Sequence, residues 1–291
     1  MNNFESNIFN IYGKKGKDWL LALSAIVDIA SSKFGLSDLR PMAGLSYNYI
    51  LSGLQGDKEV ILKVGMDNAG LKKEAFALRR FNGFGAVNIF GEIEGALLLE
   101  KIIPGISLKS YFAQKDANSV EIACMVMKRL HKAGILKKHN FPHIKDLLSA
   151  LDKDWPIDKS MLQKARLLRD KLLDSAGPDI LLHGDLHHDN ILRGLSEWIV
   201  IDPKGVIGEA AYEIGAFIRN PMPELLKQND ILNIIQARIL AFSHNANVSS
   251  ERIAAWCFVQ SLLSWIWAIE DKTDASCWKQ LTMIFDKFTV D

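Results

Sequence analysis

Three side chains with oxygen to offer crowd one short stretch of this sequence, LLHGDLHHDNILRGLSEWIVIDPK at 181–204: Asp185, Asn190 and Asp202. A carboxylate in a loop can align a hydroxyl group and take its proton. An amide and a second carboxylate are ligand types that magnesium accepts beside phosphate and water. Together they meet the needs of phosphoryl transfer from a nucleotide: neutralised charge, two aligned oxygens and a destination for a proton. Asp185 precedes Asn190 by five residues, and Asn190 precedes Asp202 by twelve. The turn RGLSE, with Gly194, followed by the apolar run WIVI predicts a hairpin that lets Asn190 and Asp202 face one site. An HGD in isolation would read better as a turn or cap. The matched Asn190 and Asp202 favour chemistry.

His183, His187 and His188 are of the type that binds zinc or iron. His183 and His187 share a face only in a helix, however, and Gly184 argues for a loop. His183 is expected to hold that loop through backbone hydrogen bonds, and Asp189 to balance local charge. Upstream, Lys63 sits among apolar residues in the strand-like VILKVG, from where a lysine can point into a cleft and pair with phosphate oxygens. Glu74 follows eleven residues later in LKKEAFALRR. Alone, these two read as a surface lysine and a solvated acid; the downstream set changes the balance. The stretch PMAGLSYNYILSG lacks the G-x-G-x-x-G of a phosphate loop and offers Gly44, Ser46 and Asn48, which fit either phosphate contact or an ordinary turn before a strand. The G-x-x-x-x-G-K-[ST] pattern is absent.

The elements that must position these groups fall into two regimes. A helix is predicted at about 17–33, from the spacing of Trp19, Leu20, Leu23, Ile26, Val27 and Ala30. Strands follow in YNYILSG and VILKVGM, joined by the turn LQGDKE, then a helix in LKKEAFALRRFNGF and strands in AVNIFGEIE and GALLLEKI. The first hundred or so residues thus read as an antiparallel sheet with helices. After Pro104 and Gly105 the chain turns helical, at about 107–114, 117–132, 143–152 and 159–175. Short strands interrupt at about 181–182, 190–194 and 197–201. Helices resume at about 209–218, 223–242, 248–270 and 274–289. The fold class expected is α+β, with a lobe at 1–102 that carries an extra N-terminal helix and a helical lobe at 103–291 for catalysis and acceptor binding.

Composition limits the partners. The chain has 291 residues, 48% apolar and 24% charged, with a formal net charge of +1, which does not suit a dedicated nucleic-acid binder. Three scattered cysteines, Cys124, Cys257 and Cys277, suit neither a disulfide framework nor a metal site and fit a reduced, cytoplasmic setting. The N-terminal sequence lacks a signal-peptide layout, and WLLALSAIVDIA is too short to span a bilayer, so no membrane role is expected.

HGDLHHDNIL followed by VIDPKGVIGEAAYEIGAFIRNP closely resembles the aminoglycoside phosphotransferase family, and within it the aminoglycoside/hydroxyurea resistance kinases, streptomycin 6-phosphotransferases among them. The resemblance covers most of the chain and is strongest over 181–221. It implies a protein-kinase-like fold of two lobes with the nucleotide between them. It implies Asp185 as the catalytic aspartate and Asn190 and Asp202 as ligands of Mg2+. Lys63 would meet the α- and β-phosphates, with Glu74 orienting it. Gly44 and Ser46 would lie over the phosphates, and Glu100 and Ile102 in LLLEKIIPG would meet the adenine edge through main chain alone. Lys204 and Gly205, in DPKG where a protein kinase has DFG, match the streptomycin-type branch; Lys204 could approach phosphate, a structural carboxylate or only solvent. The donor implied is ATP, with GTP not distinguished from it.

The resemblance also implies a small hydroxyl-bearing acceptor, of which streptomycin would be polycationic. Candidate carboxylates for such a ligand are Glu209, Glu213, Glu270, Asp271 and Asp274, with Trp267 beside the last three; Glu213 is expected instead to pair with Arg219. Other readings are a kinase of a small amino alcohol or sugar derivative and an inactive nucleotide-binding pseudokinase. The latter should have lost one of Lys63, Asp185, Asn190 or Asp202. A protein kinase is disfavoured by the missing HRD, DFG and APE patterns. Monomer and homodimer are both compatible with the sequence.

Overall fold

The computed structural model describes residues 3–135 and 139–289. The chain divides into two compact units, 1–105 and 106–291; the boundary expected at 102/103 lies just after the last strand of the first unit.

The first unit is built on a five-stranded antiparallel sheet. Its strands are β1 (Leu36–Pro41), β2 (Tyr49–Gln55), β3 (Lys58–Val64), β4 (Ile89–Ile93) and β5 (Ala96–Glu100), in the order β1-β2-β3-β5-β4. Helix α1 (Asn3–Phe34) covers one face: Trp19, Leu23, Ile26 and Val27 pack against Leu51, Leu62, Val64 and Ala96. The expected helix at 17–33 is the second half of α1. The first half folds back across Gly13, whose φ of 56° and ψ of −130° break the helix. Gly16 permits the close return, since a Cβ there would lie 2.6 Å from the Ile8 carbonyl oxygen. Phe4 thereby reaches Trp19 and Tyr49.

Strand geometry does the next piece of work. Leu62 and Val64 face α1, so Lys63 between them must face the other side of the sheet. There α2 (Asn68–Arg80), capped by the Asp67 side chain on the Gly70 N–H, packs against β4 and β5 with Leu71, Glu74, Ala75 and Leu78 buried. Strand β1 was not expected. Its burial does not alternate, and only pairing with β2 marks it as a strand.

The second unit is mainly helical: α3 (Asp116–Leu130), α4 (Ile144–Leu148), α5 (Lys159–Asp174), α6 (Ala210–Ile218), α7 (Ile231–Ala246), α8 (Ser250–Glu270) and α9 (Ser276–Asp286). Helix α8 is the centre of the core, buried along most of its length and packed on α5, α6, α7 and α9. It is long and apolar enough to cross a membrane by length and composition, but 83% of its apolar window is buried within the protein. Trp256 and Trp265 belong to this core, whereas Trp267 is 36% exposed. Cys124 and Cys257 are core residues whose thiols burial pushes up to about 12.

Three expected helices differ. That at 143–152 is the five-residue α4 followed by a 3-10 turn, Ser149–Asp152. The segment expected at 107–114 is strand β6 (Ile106–Ser107) and one 3-10 turn, Leu108–Tyr111, because Ser107 pairs with Leu192 before its side chain caps that turn. The segment at 223–242 begins with a separate 3-10 turn, Leu225–Lys227, and α7 starts only at Ile231. Two small ladders lie among the helices. One pairs β7 (Ile180–Leu182) with β10 (Val206–Gly208); the other is β6-β8-β9, with β8 at Ile191–Arg193 and β9 at Trp198–Val200.

Candidate active site

The loop from His183 to Asn190 and the segment from Ile201 to Gly205 are held between those two ladders. At one end Leu182 pairs with Val206. At the other, Ile191 pairs with Val200, and the Ile201 N–H donates to the Asn190 carbonyl at 3.0 Å. Asn190 and Asp202 therefore lie side by side at the base of the β8–β9 hairpin. The His183 carbonyl stitches the loops, accepting from Lys204 N–H at 2.8 Å and Gly205 N–H at 3.1 Å. Gly184 has φ +85°, and a Cβ there would meet Val206 Cγ1 at 3.0 Å, so glycine answers both to conformation and to space.

The polar groups of the loop are individually assigned. Asn190 Nδ2 donates to the Asp185 carbonyl at 2.9 Å and lies 3.3 Å from His187 Nε2. This orients the amide so that Oδ1 remains to serve as a ligand. The His187 ring is 3.8 Å from Asp185 Oδ2. The carboxylates of Asp185 and Asp202 are each about a third exposed. Lys204 Nζ is 3.2 Å from both oxygens of Asp202. The donor set, one amide oxygen and one hard carboxylate with room for water and phosphate, fits magnesium. Among the described residues no group of three or more His, Cys, Asp and Glu could hold a metal ion.

The three histidines are engaged separately. His183 Nε2–H donates to the Ile201 carbonyl at 2.9 Å, and its Nδ1 accepts from Asp185 N–H at 3.3 Å. Burial holds this ring below its ordinary pKa, against the pull of Glu213. His188 stacks on Phe217 at 3.9 Å, and its carbonyl accepts from Ser107 Oγ. Burial, then the Arg238 charge, holds it well below the ordinary range. Arg238 is itself buried, with a two-point ion pair to Asp116 and a bond to the Ile218 carbonyl.

Glu213 is the correction of most consequence. It does not pair with Arg219, which instead donates to Gln260. Its buried carboxylate accepts from His183 N–H at 2.7 Å and Gly184 N–H at 3.0 Å. It braces the loop immediately before Asp185. An acid in the first turn of the otherwise apolar helix AAYEIGAFI was the available signal: such a charge must be paired inward. Glu209, also weighed as an acceptor carboxylate, is taken up by Arg252, the Trp256 indole N–H and the Gly177 N–H. Glu270 pairs with Lys153, and Asp274 caps Ser276.

In the first unit, Lys63 Nζ meets Glu74 Oε2 at 2.6 Å, with both side chains buried. Gly44, at φ +75°, and Ser46 lie exposed in the β1–β2 loop, where the Ser46 carbonyl accepts from Asn7. Glu100 ends β5, with its N–H bonded to the Asn88 carbonyl and its carboxylate to the Asn88 side chain; Ile102 follows, outside any strand.

This combination of an antiparallel-sheet unit bearing a buried Lys–Glu pair and a helical unit bearing a loop aspartate, an asparagine and a strand-end aspartate defines a kinase. Similar solved structures are an aminoglycoside phosphotransferase in ternary complex with ADP and hygromycin B (TM-score 0.68, 15% identity, 90% of this chain and 96% of that one) and a choline kinase from Streptococcus pneumoniae (TM-score 0.66, 16% identity, 90% and 98%). The fold is protein-kinase-like. The family model for aminoglycoside/hydroxyurea antibiotic resistance kinases matches residues 37–272, and the chain belongs to that family. Relatives include the streptomycin 6-kinase of Streptomyces glaucescens (23% identity, 91% of this chain and 89% of that one) and the streptomycin 3''-kinase of Klebsiella pneumoniae (28%, 77% and 85%). The protein is an enzyme, a phosphotransferase with an alcohol group as acceptor.

Proposed function

We propose that the enzyme transfers the γ-phosphoryl group of ATP to a hydroxyl of streptomycin or a related aminoglycoside. The observation that carries this reading is the grouping of Asp185, Asn190 and Asp202 around one hairpin base, in a chain whose relatives include streptomycin kinases. Asp185 aligns the acceptor hydroxyl and receives its proton as the acceptor oxygen bonds to phosphorus and the bridging oxygen leaves with ADP. Asn190 Oδ1 and the Asp202 carboxylate hold Mg2+, which supplies charge neutralisation on the phosphates when bound. Lys63, fixed by Glu74, pairs with the phosphates nearer the adenosine. Gly44 and Ser46 flank them in the β1–β2 loop, and the main chain at Glu100 and Ile102 reads the adenine. Two free thiols buried in the core fit a cytoplasmic enzyme, acting as monomer or homodimer.

The test is incubation with Mg-ATP and streptomycin, with product mass and position read by mass spectrometry and NMR. Phosphorylated streptomycin, absent with Asp185→Ala, supports the reading. Unmodified streptomycin beside active wild-type turnover of another alcohol overturns the acceptor. One observation favours that second outcome, a kinase of a small amino alcohol or sugar derivative: Glu209 and Glu213 are spent on internal bonds, leaving fewer carboxylates to meet a polycation.

A further inference from the structure

Lys204 has no part in the scheme above, yet it is placed with unusual care. Its N–H and that of Gly205 both bond to the His183 carbonyl. Its Cβ would stand 3.4 Å from a Cβ on Gly184, so the side chain departs beside the residue that precedes Asp185. The ammonium straddles Asp202, 3.2 Å from each carboxylate oxygen. The side chain is 54% exposed. An exposed pair of this kind is weak and exchangeable. The oxygens it straddles are those that a metal ion on Asp202 would use.

We propose that Lys204 is a further catalytic residue, whose ammonium competes with the divalent cation for Asp202 and, once displaced, pairs with the phosphoryl oxygens being transferred. This rests on the phosphotransfer reading above. Charge in a loose transition state spreads over the three equatorial oxygens of the phosphoryl group. A lysine on a flexible stem serves them as a mobile point charge. The two roles have opposite signs. Removing the ammonium takes away one competitor for the Asp202 oxygens, so metal binds more tightly; it also strips a cation from the reacting group, so transfer slows. A lysine that merely tethers Asp202 in place predicts looser metal binding on removal, and a surface lysine predicts no change in either quantity.

The experiment compares intact wild-type enzyme with Lys204→Met, Lys204→Arg and Asp202→Ala. Mn2+ binding without nucleotide is followed by electron paramagnetic resonance, and turnover is measured with Mg-ATP and streptomycin, or as slow ATP hydrolysis if streptomycin is not a substrate. Lys204→Met should bind Mn2+ roughly two- to five-fold more tightly, the scale of an exposed ion pair. It should turn over about 10²-fold more slowly, the scale of losing one charge-stabilising group. Lys204→Arg should keep wild-type metal affinity within about two-fold and retain more turnover than Lys204→Met, because its positive charge is preserved. Equal or weaker Mn2+ binding by Lys204→Met, or undiminished turnover, overturns the role of Lys204. If Asp202→Ala binds Mn2+ as well as wild type, the metal assignment falls and takes this proposal with it; if Asp202→Ala loses Mn2+ while Lys204→Met matches wild type, only Lys204 is wrong.

Discussion

The two units hold their chemical groups in opposite ways. Lys63 and Glu74 sit on regular elements, a strand and a helix, and each is the other's buried counter-charge. Asp185 and Asp202 sit on loops, each about a third exposed, and Asn190 is buried at the end of a 3-10 turn; their geometry comes from hydrogen bonds to the backbone, made chiefly by the His183 carbonyl and the Glu213 carboxylate and by the amide of Asn190 itself. In the first unit the residues proposed to act are themselves the structural ones. In the second most of the bracing comes from residues outside the proposed set. Substitution should therefore cost stability and activity together in one place and apart in the other.

The sharpest break comes at Asp185. Asp185→Ala should lower turnover by about 10²–10⁴-fold, the range for a lost proton acceptor, with nucleotide affinity and urea midpoint near wild type. A large loss of stability would erase the contrast. Glu74→Ala strips the buried Lys63 ammonium of the carboxylate 2.6 Å away and should cost about 3–5 kcal/mol in urea unfolding. The double variant Lys63→Met with Glu74→Leu should recover much of that stability and none of the turnover. Recovery of both would show that the pair serves the fold alone.

Glu213 tests the brace. Glu213→Gln keeps one acceptor oxygen and loses one charged hydrogen bond, so about 1.5–3 kcal/mol should go, with turnover falling although the residue touches no reactant. The buried histidines sharpen the comparison through pH. His183 and His188 are held below the ordinary value near 6.5 chiefly by burial. Below that pH the unfolded chain binds protons that the folded chain refuses, so stability should fall as pH drops, by at most about 1.4 kcal/mol per pH unit per histidine. His188→Phe, which preserves the stack on Phe217, should flatten part of that slope in melts between pH 8 and 5. The smallest effect belongs to Glu100→Ala. Loss of a bond to the exposed Asn88 side chain should cost about 0.5 kcal/mol, with KM for ATP within about two-fold if only main chain meets the base.

What the sequence made legible was what lies close along it. Asp185, Asn190 and Asp202 share one short stretch, and the hairpin between them announces itself through Gly194 and the run WIVI. Lys63 and Glu74 are separated by a single turn and a helix start. Groups that depend on distant partners stayed hidden. Strand β10 is three residues that mean little until β7 lies beside them. The partner of Glu213 is thirty residues upstream and is backbone, which no side-chain pattern can reveal. Arg238 reads as an ordinary polar residue of a helix, yet it is buried against Asp116, 122 positions away. The fold-back of α1 at Gly13 went unseen because a lone glycine in a polar stretch does not tell a bend from a boundary.

The β8–β9 hairpin can be regarded as a ruler. Asn190 and Asp202 stand at its open end, the Gly194 N–H to Glu197 carbonyl bond closes the other, and Leu195 at the tip is 86% exposed. One residue added to a single arm would turn every later side chain to the opposite face and carry Asp202 out of line with Asn190. Lineages that lengthen or shorten this hairpin must therefore do so in matched steps on both arms, or confine the change to the tip around Leu195, where the register is indifferent to it.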